Sequence, residues 1–378
     1  MHKEWPLLVG AITLIGLQTT HLLNWLLLQS AALVLSGLGL LSLLILLLAR
    51  RIATRADHLA ETLGEPIGTL VLTGSVILIE LALVSSTMLS GESNPSLARD
   101  SMFSVLMIVL TGVKGITLIL ASRFQTSGFK EPLQLEDMAS INKSGASTYI
   151  NLITTMSVLV LLLPNFSSDS AEANFSQPIN WLLTIVAIGL YGAFLRFQTG
   201  TYRNLFLEPS DQLELAPIDD SNTPQHNDGK ASSFRDGVVM GIGLLILVLI
   251  AESMGSLIEV GITEIGLPSS LGGVLVGLLV VAPEALNAFQ AANRGEVQRS
   301  LNTLYGSSLS TLCLTVPAVL LIGELTSTNV ILGLDPTESV LLLLTLILVR
   351  PISGRVSELD GLMLLSIGLV WISLQVVS

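Results

Sequence analysis

The sequence has few of the side chains that carry out covalent or metal-dependent chemistry. Among 378 residues there are one cysteine, Cys313, and four histidines. A single cysteine excludes an internal disulfide and a thiolate metal cluster. The histidines lie at or outside the ends of the apolar segments, which argues against a histidine relay that moves protons across a membrane. They are His2, His21, His58 and His226.

Charged residues are also scarce. Only 12% of the residues are charged and 51% are hydrophobic, whereas ordinary soluble domains carry about 25% charged residues. Many apolar runs approach the roughly 18–20 residues that cross a bilayer, so the sequence predicts a polytopic membrane protein. The net charge of −12 comes mainly from acidic loops, and without a basic patch we expect no nucleic-acid partner. We also expect no cleavable signal peptide, because no small-residue cleavage site follows the first apolar run.

The apolar runs predict an all-α integral membrane fold with about eleven transmembrane helices. Membrane lipid is therefore expected to surround most of the chain. The predicted spans cover about residues 5–20, 27–49, 66–90, 101–122, 147–164, 178–198, 234–254, 268–290, 300–322, 336–350 and 357–377.

The lysines and arginines predict the orientation of these helices, because cytoplasmic loops carry an excess of them. With the N-terminus in the cytoplasm and the C-terminus outside, all but two of the 17 basic residues fall in inner segments. The exceptions are Arg99, at the outer edge, and Lys114, inside the fourth span. We therefore expect a multi-pass protein of the cell (inner) membrane with a cytoplasmic N-terminus.

An acidic segment, residues 199–233, divides the chain into two halves. It holds six acidic residues and three prolines, which predicts a largely disordered cytoplasmic linker. The predicted domains are residues 1–50 (two helices, the first an extra one), 51–198 (first half, with a repeat at about 64–122) and 234–378 (second half, with a repeat at about 268–322).

Two glutamates, Glu80 and Glu284, lie deep inside spans three and eight, which are predicted to run in opposite directions. Glu80 follows Pro66 by 14 residues and Glu284 follows Pro268 by 16 residues. At 1.5 Å per residue, each carboxylate is roughly 21–24 Å from the end at which its own helix begins. Both are therefore predicted near the middle of the membrane, where inverted repeats of secondary transporters place their binding sites.

Each glutamate helix is followed by a helix with a small or polar face. In span nine the residues Asn302, Gly306 and Ser310 share one face, which Ser307 widens. Small residues allow helices to approach closely, and hydroxyl or amide oxygens can complete the coordination shell of a cation. The corresponding, sparser face of span four holds Asp100, Ser104 and Thr111.

Pro283 directly precedes Glu284 and has no backbone N–H. The carbonyl of Leu279 therefore loses its helical partner. A free carbonyl beside a carboxylate is half of an ion site. The sequence thus predicts cation ligands at Glu80 and Glu284, with Leu279, Ser104, Asp100, Asn302, Ser307 and Ser310 as further candidates.

Some of these residues also have purely structural interpretations, which the sequence leaves open. Asp100 could pair with Arg99 at the outer surface. The Lys114 side chain could snorkel toward the cytoplasmic end of its helix. Glu65, next to Pro66, could cap the start of a helix or act in gating.

The paired segments resemble ChaA-type cation/proton antiporters of the cation/calcium exchanger superfamily. The resemblance extends over about residues 50–375. It is carried in the first repeat by Gly64-Glu65-Pro66-Ile67-Gly68-Thr69-Leu70, Glu80 and Pro95-Ser96-Leu97-Ala98-Arg99-Asp100, and in the second by Pro283-Glu284, Val297-Gln298-Arg299 and Gly306-Ser307-Ser308.

This resemblance implies ten core helices plus an N-terminal one, and exchange of Ca²⁺, Na⁺ or K⁺ for H⁺ at the bacterial inner membrane. It also implies that Glu80 and Glu284 bind the ion and exchange protons. The chain departs from calcium/proton exchangers just before Glu80, where the usual Asn and Thr are replaced by apolar residues. Fewer oxygen ligands are then assured, so Na⁺ and K⁺ remain open beside Ca²⁺.

The sequence therefore predicts a secondary active antiporter that works by alternating access, with no cofactor. A cation exchanger without proton coupling is the alternative within transport. A membrane enzyme that uses the paired carboxylates has no supporting nucleophile, histidine pair or phosphate loop, and a sensor or scaffold is the remaining alternative. The cation, the stoichiometry and the oligomeric state are left open.

Overall fold

The computed structural model describes residues 4–19, 22–63, 74, 77–81, 84–85, 96–126, 138–167, 175–207, 229–266, 268, 270–326 and 330–377. The chain divides into two compact units. The first comprises Met1–Ala98 and Asp219–Pro283, and the second comprises Arg99–Ile218 and Glu284–Ser378. Apart from an isolated bridge between Ser140 and Arg355, secondary structure in the described residues is helical.

The helices follow the apolar runs of the sequence. In chain order they are α1 (Trp5–Thr19), α2 (Leu22–Leu27), α3 (Ala31–Leu63), α4 (Leu97–Met107), α5 (Lys114–Thr126), α6 (Lys143–Ser157), α7 (Gln177–Thr199), α8 (Gly229–Ile265), α9 (Ser270–Ala292), α10 (Val297–Ser310), α11 (Val316–Thr326), α12 (Pro336–Leu348) and α13 (Glu358–Val377). π-Helices Ile108–Val113, Val158–Leu162 and Thr311–Thr315 continue α4, α6 and α10.

In the described residues, eight helical stretches are long and apolar enough to cross a membrane, and Trp5–Thr19 and Pro336–Leu348 are shorter apolar helices. These ten correspond to ten of the eleven predicted spans. The remaining prediction, residues 66–90, lies largely outside the described residues, although 77–81 are helical. The predicted all-helical, multi-pass fold is therefore confirmed.

Two helices extend well beyond the predicted spans. The span predicted at 27–49 belongs to α3, which continues to Leu63, and the span predicted at 234–254 belongs to α8, which begins at Gly229 and continues to Ile265. The extensions contain charges, so their hydropathy resembles that of a loop. Their buried apolar residues nevertheless recur at helical spacing, with Ile52 and Leu59 in α3.

The first unit is built around α3 and α8, which pack against each other, with α1 packed on both. Gly10 of α1 allows a close approach, since a Cβ atom there would lie 3.0 Å from Ile246 and 3.1 Å from Leu48. Close packing of this kind is how membrane helices associate where lipid offers no hydrophobic driving force.

An ionic cluster joins the same three elements at one end. The Glu4 carboxylate accepts hydrogen bonds from Arg51 and Arg55, and Arg55 also pairs with Asp236 of α8. The hydrogen bond from Arg51, together with that from Arg55 and the charges of both arginines, lowers the pKa of Glu4 to about 2. Glu4 therefore stays ionised at neutral pH and fixes the start of α1 to α3.

The second unit is organised around the α4–α5 helix, which packs against α13 and α10. Phe103 of α4 meets Trp371 of α13 edge to face, with ring centroids 6.1 Å apart. A second aromatic cluster joins α6, α7 and α10 through Tyr149, Phe194 and Tyr305. These contacts hold the helices that carry the predicted polar faces.

The crossing of α5 and α13 is exceptionally close. A Cβ atom on Gly361 would lie 2.6 Å from the carbonyl oxygen of Gly115 and 2.8 Å from Ile119. A Cβ atom on Gly115 would in turn lie 2.9 Å from the carbonyl oxygen of Gly361. Only glycine fits on both sides, because backbone atoms cannot move aside as the end of a flexible side chain can.

We expect Gly361→Ala to destabilise the protein by about 1–3 kcal/mol, the usual cost of overpacking a well-packed site. Gly192→Ala is the matched control, because Gly192 of α7 is exposed and a Cβ atom there meets nothing within 4 Å. The measurement is the thermal unfolding midpoint of each purified variant in detergent. Equal midpoints for the two variants would contradict the close crossing.

Candidate functional site

Glu80 is buried in the first unit. It lies within the helical residues 77–81, and its side chain is only 2% exposed. Ile79 and Val84 are buried with it, whereas Leu78 on another side is exposed. Glu80 therefore faces protein, as a carboxylate in a membrane segment must do to find a proton, a cation or polar partners.

Glu284 is buried in the second unit, where α9 carries it directly after Pro283. It is 9% exposed, and the helix continues through the proline. The carbonyl of Leu279 lies four residues before Pro283 and cannot receive a helical hydrogen bond from it. Leu279 is itself buried, so an acceptor without its helical donor lies about one turn from the carboxylate.

A hydrogen bond between α9 and α10 fixes the depth of Glu284. The Ser300 hydroxyl of α10 donates to the carbonyl of Ala288 at 2.8 Å. The two helices run in opposite directions from a short connection, which contains Gly295 at φ +79°. Glu284 lies four residues from Ala288 along α9, and Leu304 lies four residues from Ser300 along α10. Because the helices are antiparallel, Glu284 and Leu304 are at the same level to within a turn. The predicted serines of α10 thus begin one turn deeper.

The serines lie in a buried stretch of α10. Ser307 and Ser310 are both buried, and the hydroxyls of Ser310 and Thr311 donate to the carbonyl of Ser307 at 2.8 and 3.1 Å. A hydroxyl that donates to a carbonyl leaves its oxygen lone pairs free to face a cation. Ser308 was not predicted as a ligand, yet its buried hydroxyl has no hydrogen-bond partner among the described residues.

Asn302 has its amide group engaged by protein. Its Nδ2 donates to the carbonyl of Phe206, and its Oδ1 accepts from Gln298 at 2.9 Å. Gln298 in turn accepts from the backbone N–H of Asn142 at 2.8 Å. These bonds tie α10 to the segments that precede α6 and follow α7, so as a cation ligand Asn302 would have to give them up.

In the first repeat the predicted polar face divides into different environments. Asp100 is buried and pairs with Arg99 at 2.7 Å, and Arg99 also donates to the carbonyl of Gly333 at 2.7 Å. Ser104 is buried one turn further along. The Thr111 hydroxyl donates to the carbonyl of Met107 and faces Gly368 of α13. The alternative interpretation, in which Asp100 pairs with Arg99, therefore agrees with the ion pair in the structure.

The π-helices give the two repeats a shared feature that the sequence did not reveal. Ile108–Val113 begins 28 residues after Glu80, and Thr311–Thr315 begins 27 residues after Glu284. In each, a threonine hydroxyl donates to the carbonyl four residues earlier. A π-helix disrupts the regular hydrogen-bond ladder and is frequent at functional sites. The correspondence supports the inverted repeat.

Lys114 is buried, and the predicted direction of its side chain toward the cytoplasmic end stays a prediction. Its side chain is 5% exposed, and its ammonium donates to the carbonyl of Val349 at 2.6 Å. The nitrogen also lies 5.1 Å from the centre of the Tyr305 ring. The end of α12 supplies the partner of the ammonium, because Val349 presents a carbonyl acceptor inside the protein.

The remaining predictions add no further ligand. Glu65 and the linker residues 208–228 lie outside the described residues. In the part of the chain that the structure describes, no three acidic, histidine or cysteine side chains come together to hold a metal ion. A cavity of about 260 Å³ between α7 and α11, lined partly by Asn180 and Glu324, contains none of the predicted site residues.

Comparison with known proteins identifies the family. The profile of the sodium/calcium exchanger protein family matches residues 32–200 and 237–377, which is most of the chain. The chain belongs to this family. Membership confirms the predicted resemblance to the cation/calcium exchanger superfamily.

Two curated relatives match over most of their length. The sodium-potassium/proton antiporter ChaA of Escherichia coli (strain K12) is 31% identical over 364 residues, which cover 95% of this chain and 93% of ChaA. A Ca²⁺/H⁺ antiporter of Synechocystis sp. (strain ATCC 27184 / PCC 6803 / Kazusa) is 24% identical over 360 residues, covering 92% of this chain and 90% of the relative.

Solved structures share the fold. Native YfkE has a TM-score of 0.65 at 16% identity, and the match covers 94% of this chain and all of that one. The H⁺/Ca²⁺ exchanger CAX has a TM-score of 0.63 at 16% identity, with 99% and 89% covered. The predicted exchanger-like fold is confirmed.

Proposed function

We propose that this protein is a secondary active cation/proton antiporter that exports Ca²⁺, Na⁺ or K⁺ in exchange for protons. Family membership and similarity to two relatives, a sodium-potassium/proton antiporter and a Ca²⁺/H⁺ antiporter, support the proposal. The orientation with a cytoplasmic N-terminus is part of the proposal and rests on the distribution of basic residues.

The observation that carries the proposal is the burial of Glu80 and Glu284, one in each repeat. A charged side chain within a membrane helix is costly, by roughly 2.5–3.5 kcal/mol on insertion scales. A protein that nevertheless keeps a carboxylate at corresponding positions of two repeats is expected to need both of them for function. We infer that both carboxylates bind the transported ions near the membrane midplane.

Exchange follows from competition at these two groups. Buried carboxylates are stabilised by a bound cation or by protons, and a cation that neutralises a carboxylate disfavours its protonation. Two carboxylates can balance one Ca²⁺ or accept two protons. Alternating access, in which one group of helices moves against another around the site, would carry either load across the membrane.

The ligand set leaves more than one cation open. Beyond the carboxylates, we propose the Leu279 carbonyl and the hydroxyls of Ser307, Ser308 and Ser310 as ligands. Asp100, Ser104 and Asn302 remain predicted ligands of lower rank, since Asp100 and Asn302 already have protein partners. Ca²⁺ takes 6–8 oxygen ligands, a number that this proposed set reaches only if all six groups bind at once, so Na⁺ and K⁺ stay open beside Ca²⁺.

Purified protein in liposomes with an imposed pH gradient tests the function directly. Ca²⁺, Na⁺ and K⁺ are added separately while an entrapped dye reports internal pH. We expect at least one cation to trigger proton movement that depends on the protein, and the most effective cation is the preferred substrate.

Absence of proton movement with all three cations, from well-folded protein, would overturn proton coupling. Isotope exchange of each cation in the same liposomes then tests the alternative. Cation exchange without proton movement would identify an exchanger coupled to another cation.

A further inference from the structure

Lys114 has a buried amine that the proposed exchange cycle does not use. It begins α5, directly after the π-helix Ile108–Val113. Its ammonium contacts the Val349 carbonyl and the face of the Tyr305 ring, all within the second unit. Among the described residues, no carboxylate lies within salt-bridge distance of it.

Two neighbouring groups interact favourably with the ammonium. Val349 follows the last residue of α12, so its carbonyl lies at the negative end of that helix. The π-face of a tyrosine also attracts a cation. Asp360 of α13 interacts with the ammonium electrostatically, but its carboxylate already accepts from the N–H and hydroxyl of Ser357 at 2.9 and 2.8 Å.

Lys114 and Glu284 lie at a similar depth. Glu284 is level with Leu304 of α10, by the register that the Ser300–Ala288 hydrogen bond sets. The Lys114 ammonium lies over the ring of Tyr305, the next residue of α10. Both α5 and α9 are neighbours of α10, so two interhelical distances of 8–10 Å put the charges within about 20 Å of each other.

We propose that Lys114, in its charged form, sets the cation affinity of the Glu284 site and its preference for ion valence. The inference rests on the proposed function, since it assumes a cation bound at Glu284. The repulsion between the ammonium and the bound ion scales with the charge of the ion. At about 20 Å and an effective dielectric constant of about 20, it weakens binding about fourfold for a monovalent ion and about sixteenfold for a divalent one.

Three substitutions separate charge from structure. Lys114→Arg keeps a charge at every accessible pH. Lys114→Gln removes the charge but keeps an N–H that can reach the Val349 carbonyl. Lys114→Met removes both, and so isolates the cost of leaving that carbonyl without a donor.

The experiment measures equilibrium dissociation constants of the detergent-solubilised protein for Na⁺ and Ca²⁺ by calorimetry. The pH is set where cation binding no longer releases protons, so that proton competition does not mask the effect. We expect Lys114→Gln to bind Na⁺ about fourfold and Ca²⁺ about sixteenfold more tightly than Lys114→Arg, with Lys114→Met close to Lys114→Gln.

Equal constants for the Gln and Arg variants, or a change that is the same for both ions, would overturn the inference while leaving the antiporter intact. Weakened binding only in Lys114→Met would assign Lys114 to capping α12 alone. If the wild-type protein binds neither ion, the proposed function itself fails, and this result is distinguishable because it does not depend on residue 114.

Discussion

Cation/proton exchange is expected to fall by about 100-fold or more when either Glu80 or Glu284 is replaced by glutamine, because a neutral amide can neither bind a proton for transport nor balance a cation. Both side chains are buried. The measurement is cation-triggered proton movement in liposomes, with the amount of reconstituted protein matched between variants.

Glu324→Gln is the matched control for these two substitutions. Glu324 is an exposed glutamate of α11 that accepts a hydrogen bond from Gln177. The same chemical change there should leave exchange within about twofold of wild type, because exposed ionic and polar contacts contribute little. Near-normal exchange by either Glu80→Gln or Glu284→Gln, in protein that folds, would refute the two-glutamate site.

Conservative substitutions refine the same result. Glu80→Asp and Glu284→Asp keep the charge but shorten the side chain by one methylene, so we expect slow exchange with altered cation affinity rather than loss. A double Gln variant should be no worse than either single variant, since the two groups act as one site.

The positions of the membrane helices could be predicted from sequence, because a helix that crosses a bilayer must be a long apolar segment and hydropathy measures that apolar character. Prediction failed where helices leave the apolar layer. The continuation of α3 to Leu63 and of α8 to Ile265 depends on packing between these two helices, which a hydropathy window does not detect.

The two buried glutamates could also be predicted, since a carboxylate inside an apolar run stands out in any sequence. The pairing of Asp100 with its neighbour Arg99 was one of the alternatives that the sequence left open. The partner of Asn302 could not be predicted, because the Phe206 carbonyl comes from a distant segment of the chain. Ser310 donates to the carbonyl of Ser307 in its own helix, a choice of partner that residue type alone does not specify. The π-helices were missed because no residue pattern in the sequence specifies them.

Removing Arg99 should destabilise the protein more than any other single change considered. Arg99 and Asp100 are both buried and pair at 2.7 Å, and Arg99 also binds the Gly333 carbonyl. Arg99→Met leaves a buried carboxylate without its cation, a loss of about 3–5 kcal/mol. We expect a lower thermal midpoint in detergent and poor yield from the membrane.

The double variant Arg99→Met, Asp100→Leu distinguishes a structural pair from a site of transport. When both charges are removed, neither is left buried alone, so the double variant should recover much of the stability that Arg99→Met loses. If the pair is purely structural, the recovered protein still exchanges cations for protons, with an unchanged cation preference. Stable protein without exchange would instead make the Arg99–Asp100 pair a participant in transport, because its charges would then be needed for exchange and not for folding.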